Sequence, residues 1–387
     1  MSTNYIPIRR VYVRFGSVYE RFSSVYDSQM QSPDICIAGA GIIGLALALE
    51  LNARGAKVTV FESGAPFAEA SSAAAGMLAA NDPENPPELQ NLANLSLSLY
   101  PAWLDRIASL TGIRVPFHTS TTLQALSTHD TLSALDPSAL AQLLPQLNAG
   151  DHRFARLEEH SLDPRELASA LLAAVRVAGI DLHAHTPVRQ IRSLGSSVEV
   201  HTPTAAISAD WFIDCTGAWA TAWPPQPRLR VKPSKGQMLA LELPSSLQLN
   251  LVVRTPQVYL VPRTCGVLAG RVVVGATVED AGFDKTVHPA DRDRLHALAA
   301  ELLPQLDGAK IVESWAGLRP VTPDHLPLIG FLPNAPRRLI AAGHYRNGIL
   351  LAPATAHVVA QILNGEKAAV SLDALSPLRA LPEPATR

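Results

Sequence analysis

The chain has 387 residues, of which 47% are hydrophobic and 17% are charged, and its formal net charge at pH 7 is −2. This length and apolar content fit a globular enzyme of two domains, and a net charge near zero argues against nucleic acid as a partner. The longest apolar run, residues 35–51, contains Glu50 and is shorter than the roughly 20 residues of a membrane-spanning helix, so no membrane span is expected.

The first 29 residues differ from the rest of the chain. They are basic and contain a near-repeat, residues 14–20 and 21–27. They lack the apolar core of a secretion signal, and the acidic residues Glu20 and Asp27 are untypical of a transit peptide. We therefore expect a flexible N-terminal extension over residues 1–29, with a targeting or membrane-surface arm as the alternative.

A glycine fingerprint follows this segment. The short apolar run of residues 35–38 predicts a buried parallel strand. Gly39, Gly41 and Gly44 have the G-x-G-x-x-G spacing, which predicts a tight turn into a helix, close approach of a pyrophosphate and close helix–strand packing. The fingerprint predicts a site for the ADP moiety of NAD or FAD and leaves open which one is bound.

The helix after the fingerprint is expected to end near Arg54, with Gly55 as its C-terminal cap. A second strand, residues 57–61, then leads to Glu62. A carboxylate at this distance accepts hydrogen bonds from ribose hydroxyls and repels the 2′-phosphate of NADP. The segment from Ser71 to Met77 is rich in small residues, which would let the backbone approach a flat ligand, although an ordinary loop explains it equally well.

The rest of the chain alternates helical and extended patterns. Helices are expected over residues 89–110, 138–147, 164–177, 291–303 and 352–363. Further strands are expected over residues 180–191, 197–201, 211–215, 237–243, 251–254, 257–262, 271–275 and 339–342, and short strands are expected within residues 114–160. Asp163 is expected to cap the N-terminus of its helix, and Pro353 to lie in the first turn of the last helix.

The order of these elements predicts an α/β protein, α+β overall, with a discontinuous Rossmann-like cofactor domain and an inserted, mostly antiparallel substrate domain. The cofactor domain is expected to comprise residues 30–100, 155–228 and 318–365. The substrate domain is expected to comprise residues 101–154 and 229–317, and residues 366–387 form a C-terminal tail.

Arg319 lies in an apolar segment stiffened by proline and glycine, residues 315–324. A guanidinium in such surroundings needs an anionic partner, and its planar fork matches a carboxylate. We favour a substrate carboxylate over an internal salt bridge with Asp324. Tyr259, on a predicted strand, could donate to the same carboxylate, although a tyrosine in a strand is more often a packing residue.

Residues 343–350 follow a predicted strand and lead into the last helix, whose N-terminus would favour an anionic ligand group. Other candidate sites are weaker. His183 and His185 have metal-like spacing without an evident third ligand, so no metal is expected. The three cysteines are scattered, which fits a reducing, cytoplasmic location.

Four segments together resemble the glycine oxidase branch of the D-amino-acid oxidase family of flavoproteins, the branch associated with thiamine biosynthesis. They are residues 72–78 (SAAAGML), 274–277 (VGAT), 315–320 (WAGLRP) and 342–355 (AGHYRNGILLAPAT). The resemblance covers about residues 33–364 and implies FAD as the cofactor. The FAD is expected to be non-covalent, because related sarcosine oxidases attach it to a C-terminal cysteine and no cysteine follows Cys265 here.

The resemblance also implies the roles of individual residues. The expected FAD contacts are Gly39, Gly41, Ile42, Ile43, Gly44, Glu62, Ser63, Ser71, Ser72, Ala75, Gly76, Met77, Val188, Gly217, His344, Tyr345, Arg346, Asn347, Gly348, Ile349 and Leu350. The expected contacts to the substrate carboxylate are Arg319, Arg346 and Tyr259. No protein side chain is expected to act as a catalytic residue, because the flavin N5 atom carries the chemistry.

The implied reaction is the oxidative deamination of glycine or a similar small amino acid, such as sarcosine or a D-amino acid, with reduction of O2 to H2O2. Gln257 and Val278, near the expected pocket, leave the preferred amine open. Alternatives are a D-amino-acid dehydrogenase that uses a quinone, a tRNA-modification oxidase domain and a non-enzymatic flavin-binding module. The sequence leaves open whether the chain forms a homo-oligomer.

Overall fold

The computed structural model describes residues 32–128, 130–220 and 230–380. The expected N-terminal extension, residues 1–29, lies outside these ranges, as does the end of the expected C-terminal tail. The helices are α1 Ile42–Ala53, α2 Ala70–Ala73, α3 Gln90–Thr111, α4 Pro137–Leu143, α5 Pro164–Val177, α6 Pro289–Leu302 and α7 Gly348–Leu363.

The strands fall into three sheets. They are β1 Ile35–Ala38, β2 Val58–Phe61, β3 Thr122–Ala125, β4 Phe154–Leu157, β5 Asp181–His183, β6 Gln190–Ser193, β7 Val198–His201, β8 Ala206–Ala209, β9 Trp211–Asp214, β10 Lys232–Glu242, β11 Val252–Arg254, β12 Tyr259–Arg263, β13 Arg271–Gly275, β14 Ile311–Val321, β15 Leu328–Phe331 and β16 Arg338–Ala342.

The first sheet has six strands in the order β15-β16-β9-β1-β2-β5, and all neighbours are parallel except β15 and β16. Its central strands are buried on both faces, as their apolar composition predicts. Helix α1 packs between this sheet and α7, and α3 packs against α5 and α7. The carboxyl ends of the parallel strands meet at one edge, which brings Gly39, Glu62, Cys215 and Gly343 close together.

The second sheet has seven strands in the order β14-β10-β13-β12-β11-β3-β4, and all neighbours are antiparallel except β11 and β3. One face packs against α6, which buries Leu295, Ala299 and Leu302. A third sheet, β6-β7-β8, is a small antiparallel meander. The predicted combination of a parallel sheet with a mostly antiparallel one is confirmed.

Helix α7 begins four residues earlier than predicted, so Pro353 lies inside the helix and not in its first turn. A proline there cannot donate to the carbonyl of residue 349. Two side chains of α3 compensate for this break. The Tyr100 hydroxyl donates to the Ile349 carbonyl at 2.5 Å, and the Ser96 hydroxyl donates to the Leu350 carbonyl at 2.6 Å.

Several other predictions need correction. Residues 180–191 form two strands in different sheets, β5 and β6, separated by a turn in which His185 has φ +52°. Helix α4 ends at Leu143, before the residue that precedes Pro145. The first part of the expected 71–77 loop is a helical turn, α2. Strands β8, β14 and β15 were not predicted.

The division of the chain into the expected domain ranges stays a prediction. Its boundary at residue 101 falls inside α3 and its boundary at residue 318 falls inside β14. Within the described ranges, none of the helices combines the length and the apolar composition required to cross a membrane.

Candidate active site

A cavity of about 590 Å³ is lined by the carboxyl edge of the six-stranded sheet and by one face of the seven-stranded sheet. Its volume lies in the range typical of small-molecule and cofactor sites. All of the predicted site residues line it except Gly44, Ser72 and Leu350. Gln257 and Val278 also line it, as the sequence suggested.

The glycine fingerprint shapes one end of the cavity. Gly39 has φ +100°, and a Cβ there would lie 2.4 Å from the carbonyl oxygen of Cys215. A Cβ on Gly44 would lie 1.9 Å from the carbonyl oxygen of Gly39, so Gly44 serves close helix–strand packing and does not face the cavity. At the N-terminus of α1, the Ile42 amide donates to the Ser71 hydroxyl at 3.0 Å. The first turn of a helix leaves backbone N–H groups without a partner in the helix, and with the Ser71 hydroxyl they form a site suited to an anion.

Glu62 is fixed at the end of β2. Its Oε2 accepts from the Ala40 amide at 2.8 Å, and its Oε1 accepts from the Ser63 hydroxyl at 3.0 Å and the Gly64 amide at 2.9 Å. These bonds orient the carboxylate at the cavity wall, where it can accept hydrogen bonds from ribose hydroxyls. Val188 lines the same end.

The segment from Ala75 to Met77 forms one wall of the cavity. Gly76 has φ +87°, and a Cβ there would lie 1.9 Å from the carbonyl oxygen of Leu162. From behind the wall, Arg263 donates through Nη2 to the Ala75 carbonyl at 2.9 Å, and its Nε lies 3.2 Å from an Asp163 carboxylate oxygen. Arg263 is a supporting residue that the sequence reasoning missed.

The 343–350 segment brings the N-terminus of α7 to the cavity. Tyr345 has φ +48°, and its amide donates to the Pro320 carbonyl at 2.8 Å. His344 shares a hydrogen bond of 3.1 Å with the Thr355 hydroxyl, and burial lowers the pKa of His344 to about 3. This imidazole is therefore neutral at physiological pH and adds no positive charge to the site.

The two predicted residues near this wall that do not line the cavity have local roles. The Ser72 hydroxyl donates to the Glu69 carbonyl at 3.1 Å, within the turn of α2. Leu350 is fully buried in the core between α7 and its neighbours.

A row of directly opposed residues crosses the cavity face of the seven-stranded sheet. Met238, Gly275, Tyr259 and Arg254 follow one another across β10, β13, β12 and β11. A Cβ on Gly275 would lie 2.5 Å from the Tyr259 hydroxyl oxygen, so glycine makes room for the phenol. That hydroxyl donates to the Met238 sulfur at 3.0 Å. Burial raises the pKa of Tyr259, although nearby Arg319 opposes the shift, and the phenol stays a donor at neutral pH.

The Arg319 guanidinium lies over Gly236, where a Cβ would come within 2.3 Å of its nitrogens. Its Nη1 donates to the carbonyls of Thr277 at 3.1 Å and Lys235 at 3.4 Å. Asp324 pairs instead with Arg379 at 2.8 Å, so the internal salt bridge considered as the alternative is not formed. Among the described residues, no carboxylate lies within ion-pair distance of Arg319, which leaves its charge available to a ligand.

Arg346 has a different environment. Its Nη2 lies 3.1 Å from Asp82, and its Nη1 donates to Glu84. The two carboxylates come from the loop of residues 81–87, and both line the cavity. The structure thus places Arg346 at the cavity, as predicted, but already paired with two acids.

Arg254 is a second residue that the sequence reasoning missed. It is buried at the cavity wall, where Nε donates to the Gln124 side chain and Nη2 lies 3.1 Å from Glu159. Burial raises the pKa of Glu159, and Arg254 opposes that shift. Nη1 of Arg254 has no hydrogen-bond partner within the described part of the chain. An arginine at the end of an apolar strand was the available signal.

One of the two histidines with metal-like spacing has a packing contact. The His183 ring stacks on Phe61 with centroids 5.3 Å apart. Across residues 32–128, 130–220 and 230–380, no group of three or more potential ligands is arranged to hold a metal ion.

The sequence model of the DAO family, described as FAD dependent oxidoreductase, matches residues 34–362. The bifunctional protein ThiO/ThiG of Trichormus variabilis is 36% identical over 356 residues, which cover 86% of this chain and 53% of that protein. The glycine oxidase of Pseudomonas aeruginosa is 32% identical over 354 residues, which cover 87% of this chain and 96% of that enzyme.

The crystal structure of glycine oxidase from Geobacillus kaustophilus is similar to this chain with a TM-score of 0.84 and 31% sequence identity. The similarity covers 90% of this chain and 99% of that one. The chain thus spans about half the length of the ThiO/ThiG relative and nearly the whole length of both glycine oxidases.

Proposed function

Because the chain belongs to the DAO family of FAD-dependent oxidoreductases, we propose that it oxidatively deaminates glycine or a similarly small amino acid, such as sarcosine or a D-amino acid. The products are the imine, which water hydrolyses to the 2-oxo acid and ammonia (methylamine from sarcosine), and H2O2 formed from O2. The observation that carries this proposal is the Arg319 guanidinium, which faces the cavity beside the Tyr259 phenol without an acidic partner among the described residues.

The cavity fits FAD. The amides at the start of α1 and the Ser71 hydroxyl would hold the pyrophosphate, and Glu62 would hold the ribose of the adenosine end. Ala75 and Gly76 line the cavity with little side-chain bulk, which leaves room for the isoalloxazine. Glycine is needed at 76 because a Cβ there would meet the Leu162 carbonyl. Bound FAD supplies the electron acceptor for amine oxidation and passes the electrons to O2.

The protein contributes orientation and charge. Arg319 and Tyr259 would bind the substrate carboxylate, Arg319 through its planar fork and Tyr259 through its hydroxyl, and Arg346 would be its third ligand. The N-terminus of α7 would stabilise negative charge on the reduced cofactor. No side chain needs to act as acid or base if the amine enters neutral.

We propose that the FAD is held without a covalent bond. Cys36 and Cys215 are buried, and burial raises the pKa of the Cys36 thiol to about 12 and that of Cys215 well above its usual range. Neither thiolate is therefore available for attachment. Cys265, the third cysteine, does not line the cavity. The free thiols also support our proposal of a cytoplasmic location.

We further propose that the product serves thiamine thiazole synthesis, on the basis of the similarity to a protein named ThiO/ThiG. The expected split into a FAD domain and a substrate domain is kept as a proposal, supported by the separate parallel and antiparallel sheets.

The deciding experiment is an anaerobic titration of the purified protein. We expect a yellow protein whose flavin absorbance is bleached by glycine or sarcosine. In air the absorbance should recover, with one H2O2 formed per substrate oxidised. After acid precipitation the flavin should be found in the supernatant, because it is not covalently bound. A colourless protein that binds NAD would contradict FAD binding. Bleaching that recovers with a quinone but not with O2 would identify a dehydrogenase.

A further inference from the structure

Arg346 is held by two acids of one short segment, residues 81–87, which we call the acidic loop. Nη2 of Arg346 lies 3.1 Å from Asp82, and Nη1 donates to Glu84. Both acids and Arg346 line the cavity. A guanidinium has two forks of donors that suit carboxylates, so an incoming substrate carboxylate and the acidic loop compete for the same cation.

The acidic loop is anchored at Asn85, next to Glu84. The Asn85 amide side chain donates to the Ala79 carbonyl at 2.9 Å, and the Asn347 side chain donates to Asn85 at 2.9 Å. The Glu84 amide itself donates to Asp82 at 3.0 Å. The loop therefore does not need to open for Arg346 to change partner, because rotation of the Glu84 side chain is enough.

The two acids are not equally replaceable. The Asp82 side chain is 11% exposed and also lies 3.8 Å from Arg254, whose own charge is balanced by buried Glu159. The Glu84 side chain is 61% exposed, and Arg346 is its ion-pair partner. Exposed side chains change rotamer within nanoseconds, and exposed ion pairs contribute little free energy.

The charges around this end of the cavity also favour displacement of Glu84. The positive charges here belong to Arg254, Arg319 and Arg346. The negative charges belong to Asp82, Glu84 and Glu159. A bound amino acid brings one more carboxylate, which would repel Glu84 if both stayed on Arg346. Moving the exposed glutamate into water keeps the numbers of opposite charges equal.

We propose that Glu84 occupies the place of the substrate carboxylate on Arg346 and is displaced by it, so that Glu84 lowers the affinity of the site for carboxylates. This inference rests on the proposed function for the identity of the substrate. It assigns to Asp82 the role of a fixed partner that keeps the Arg346 side chain aimed at the cavity after Glu84 leaves.

Acetate binding to the FAD-loaded protein tests this competition without turnover, through the change in flavin absorbance. An exposed ion pair typically changes the equilibrium constant for its formation by a factor of about 1.4 to 5. We expect Glu84→Gln to bind acetate about two- to fivefold more tightly than the unchanged protein, and Glu84→Ala to shift in the same direction. Glu88→Gln, an exposed glutamate of the next turn, is the matched control and should leave the dissociation constant unchanged.

Acetamide has the shape of acetate without its charge, and its binding should be the same in all four proteins. An acetate dissociation constant that is unchanged or larger in Glu84→Gln and Glu84→Ala would overturn the proposal. With glycine, we expect KM to fall by the same factor in Glu84→Gln at constant kcat. If no variant oxidises glycine, the proposed function fails, while the acetate result still decides the role of Glu84.

Discussion

Arg319 and Arg346 are two cavity arginines with opposite surroundings. Arg319 donates to backbone carbonyls and keeps its charge uncompensated among the described residues, whereas Arg346 is paired with Asp82 and Glu84. The stiff, apolar segment around Arg319 and the family resemblance for Arg346 marked both as substrate ligands. The sequence could not show the partners of Arg346, since Asp82 and Glu84 lie more than 200 residues away along the chain.

Arg319→Ala should raise KM for glycine by at least about 30-fold, because truncating one side of a buried, hydrogen-bonded charge pair costs about 2 kcal/mol or more. The flavin spectrum should persist, since Arg319 contacts the opposite wall from the glycine fingerprint. Steady-state kinetics with the FAD-loaded variant measure the effect. An unchanged KM for glycine would remove Arg319 from substrate binding.

Tyr259→Phe should raise KM for glycine by about 2- to 12-fold, the loss of one hydrogen bond of roughly 0.5–1.5 kcal/mol. The ring that packs over Gly275 is kept, so the melting temperature of the variant should stay close to that of the original protein. If neither KM nor acetate binding changes, Tyr259 is a packing residue and does not bind the carboxylate.

His344 makes the stability of the protein dependent on pH. Its folded-state pKa of about 3 lies below the usual value of 6.5, so the unfolded chain takes up a proton that the folded chain refuses. Stability is therefore unaffected above pH 6.5 and is lost as the pH falls from 6.5 towards 3, by up to about 1.4 kcal/mol per pH unit.

We expect His344→Gln, which can still bond Thr355, to lose less stability than the original protein between pH 6.5 and 4. Melting temperatures measured across this range give the comparison. If the melting temperature falls equally with pH in the two proteins, His344 is not responsible for the acid sensitivity.

At the scale of elements, the last helix shows where local sequence patterns stop being informative. Asn364 and Gly365 end α7 as the sequence predicts, because a helix end is decided by its own residues. The start was misplaced because Pro353 normally marks a first turn. It is tolerated inside α7 only through hydroxyl donors on α3, a partnership between segments about 250 residues apart.

Tyr100→Phe should therefore destabilise the protein by about 1–3 kcal/mol, because the buried Ile349 carbonyl loses its donor. Pro353→Ala supplies a backbone N–H to the same carbonyl. We expect the Tyr100→Phe change to cost less in the Pro353→Ala background, and chemical denaturation of the four proteins measures this coupling. If the two substitutions change the free energy of unfolding in a strictly additive way, the hydroxyl does not substitute for the missing amide.

The strands that the sequence did not predict also depend on contacts between segments that are distant along the chain. The fingerprint strand, helix and Glu62 were predicted because they form one contiguous βαβ unit. Strand β14 pairs with β10 over a long register, but its own sequence carries Glu313, Arg319 and Pro320, which weaken a strand pattern. The position of Arg254 at the end of an apolar strand was a local signal, but only the pairing of β11 with β12 and β3 places it in the cavity.

At the scale of the whole molecule, the cavity is shared by two sheets of different construction. The carboxyl edge of the six-stranded sheet supplies the fingerprint and Glu62, and the face of the seven-stranded sheet supplies Tyr259 and Arg319. The fold class followed from the order of elements along the chain. The meeting of the sheets did not, because it depends on contacts such as that between the Trp315 indole and the Ala73 carbonyl at 3.1 Å.

A ligand that contacts both sheets should stabilise both together. FAD at 100 times its dissociation constant should raise the free energy of unfolding by about 2.7 kcal/mol. Trp211 lies in the six-stranded sheet and Trp315 in the seven-stranded sheet, so variants that keep one of these tryptophans and replace the others by Phe report on each sheet separately. We expect FAD to move both fluorescence midpoints upward by the same amount. A shift confined to the Trp211 signal would mean that FAD stabilises the parallel sheet alone and that the substrate face forms independently of the cofactor.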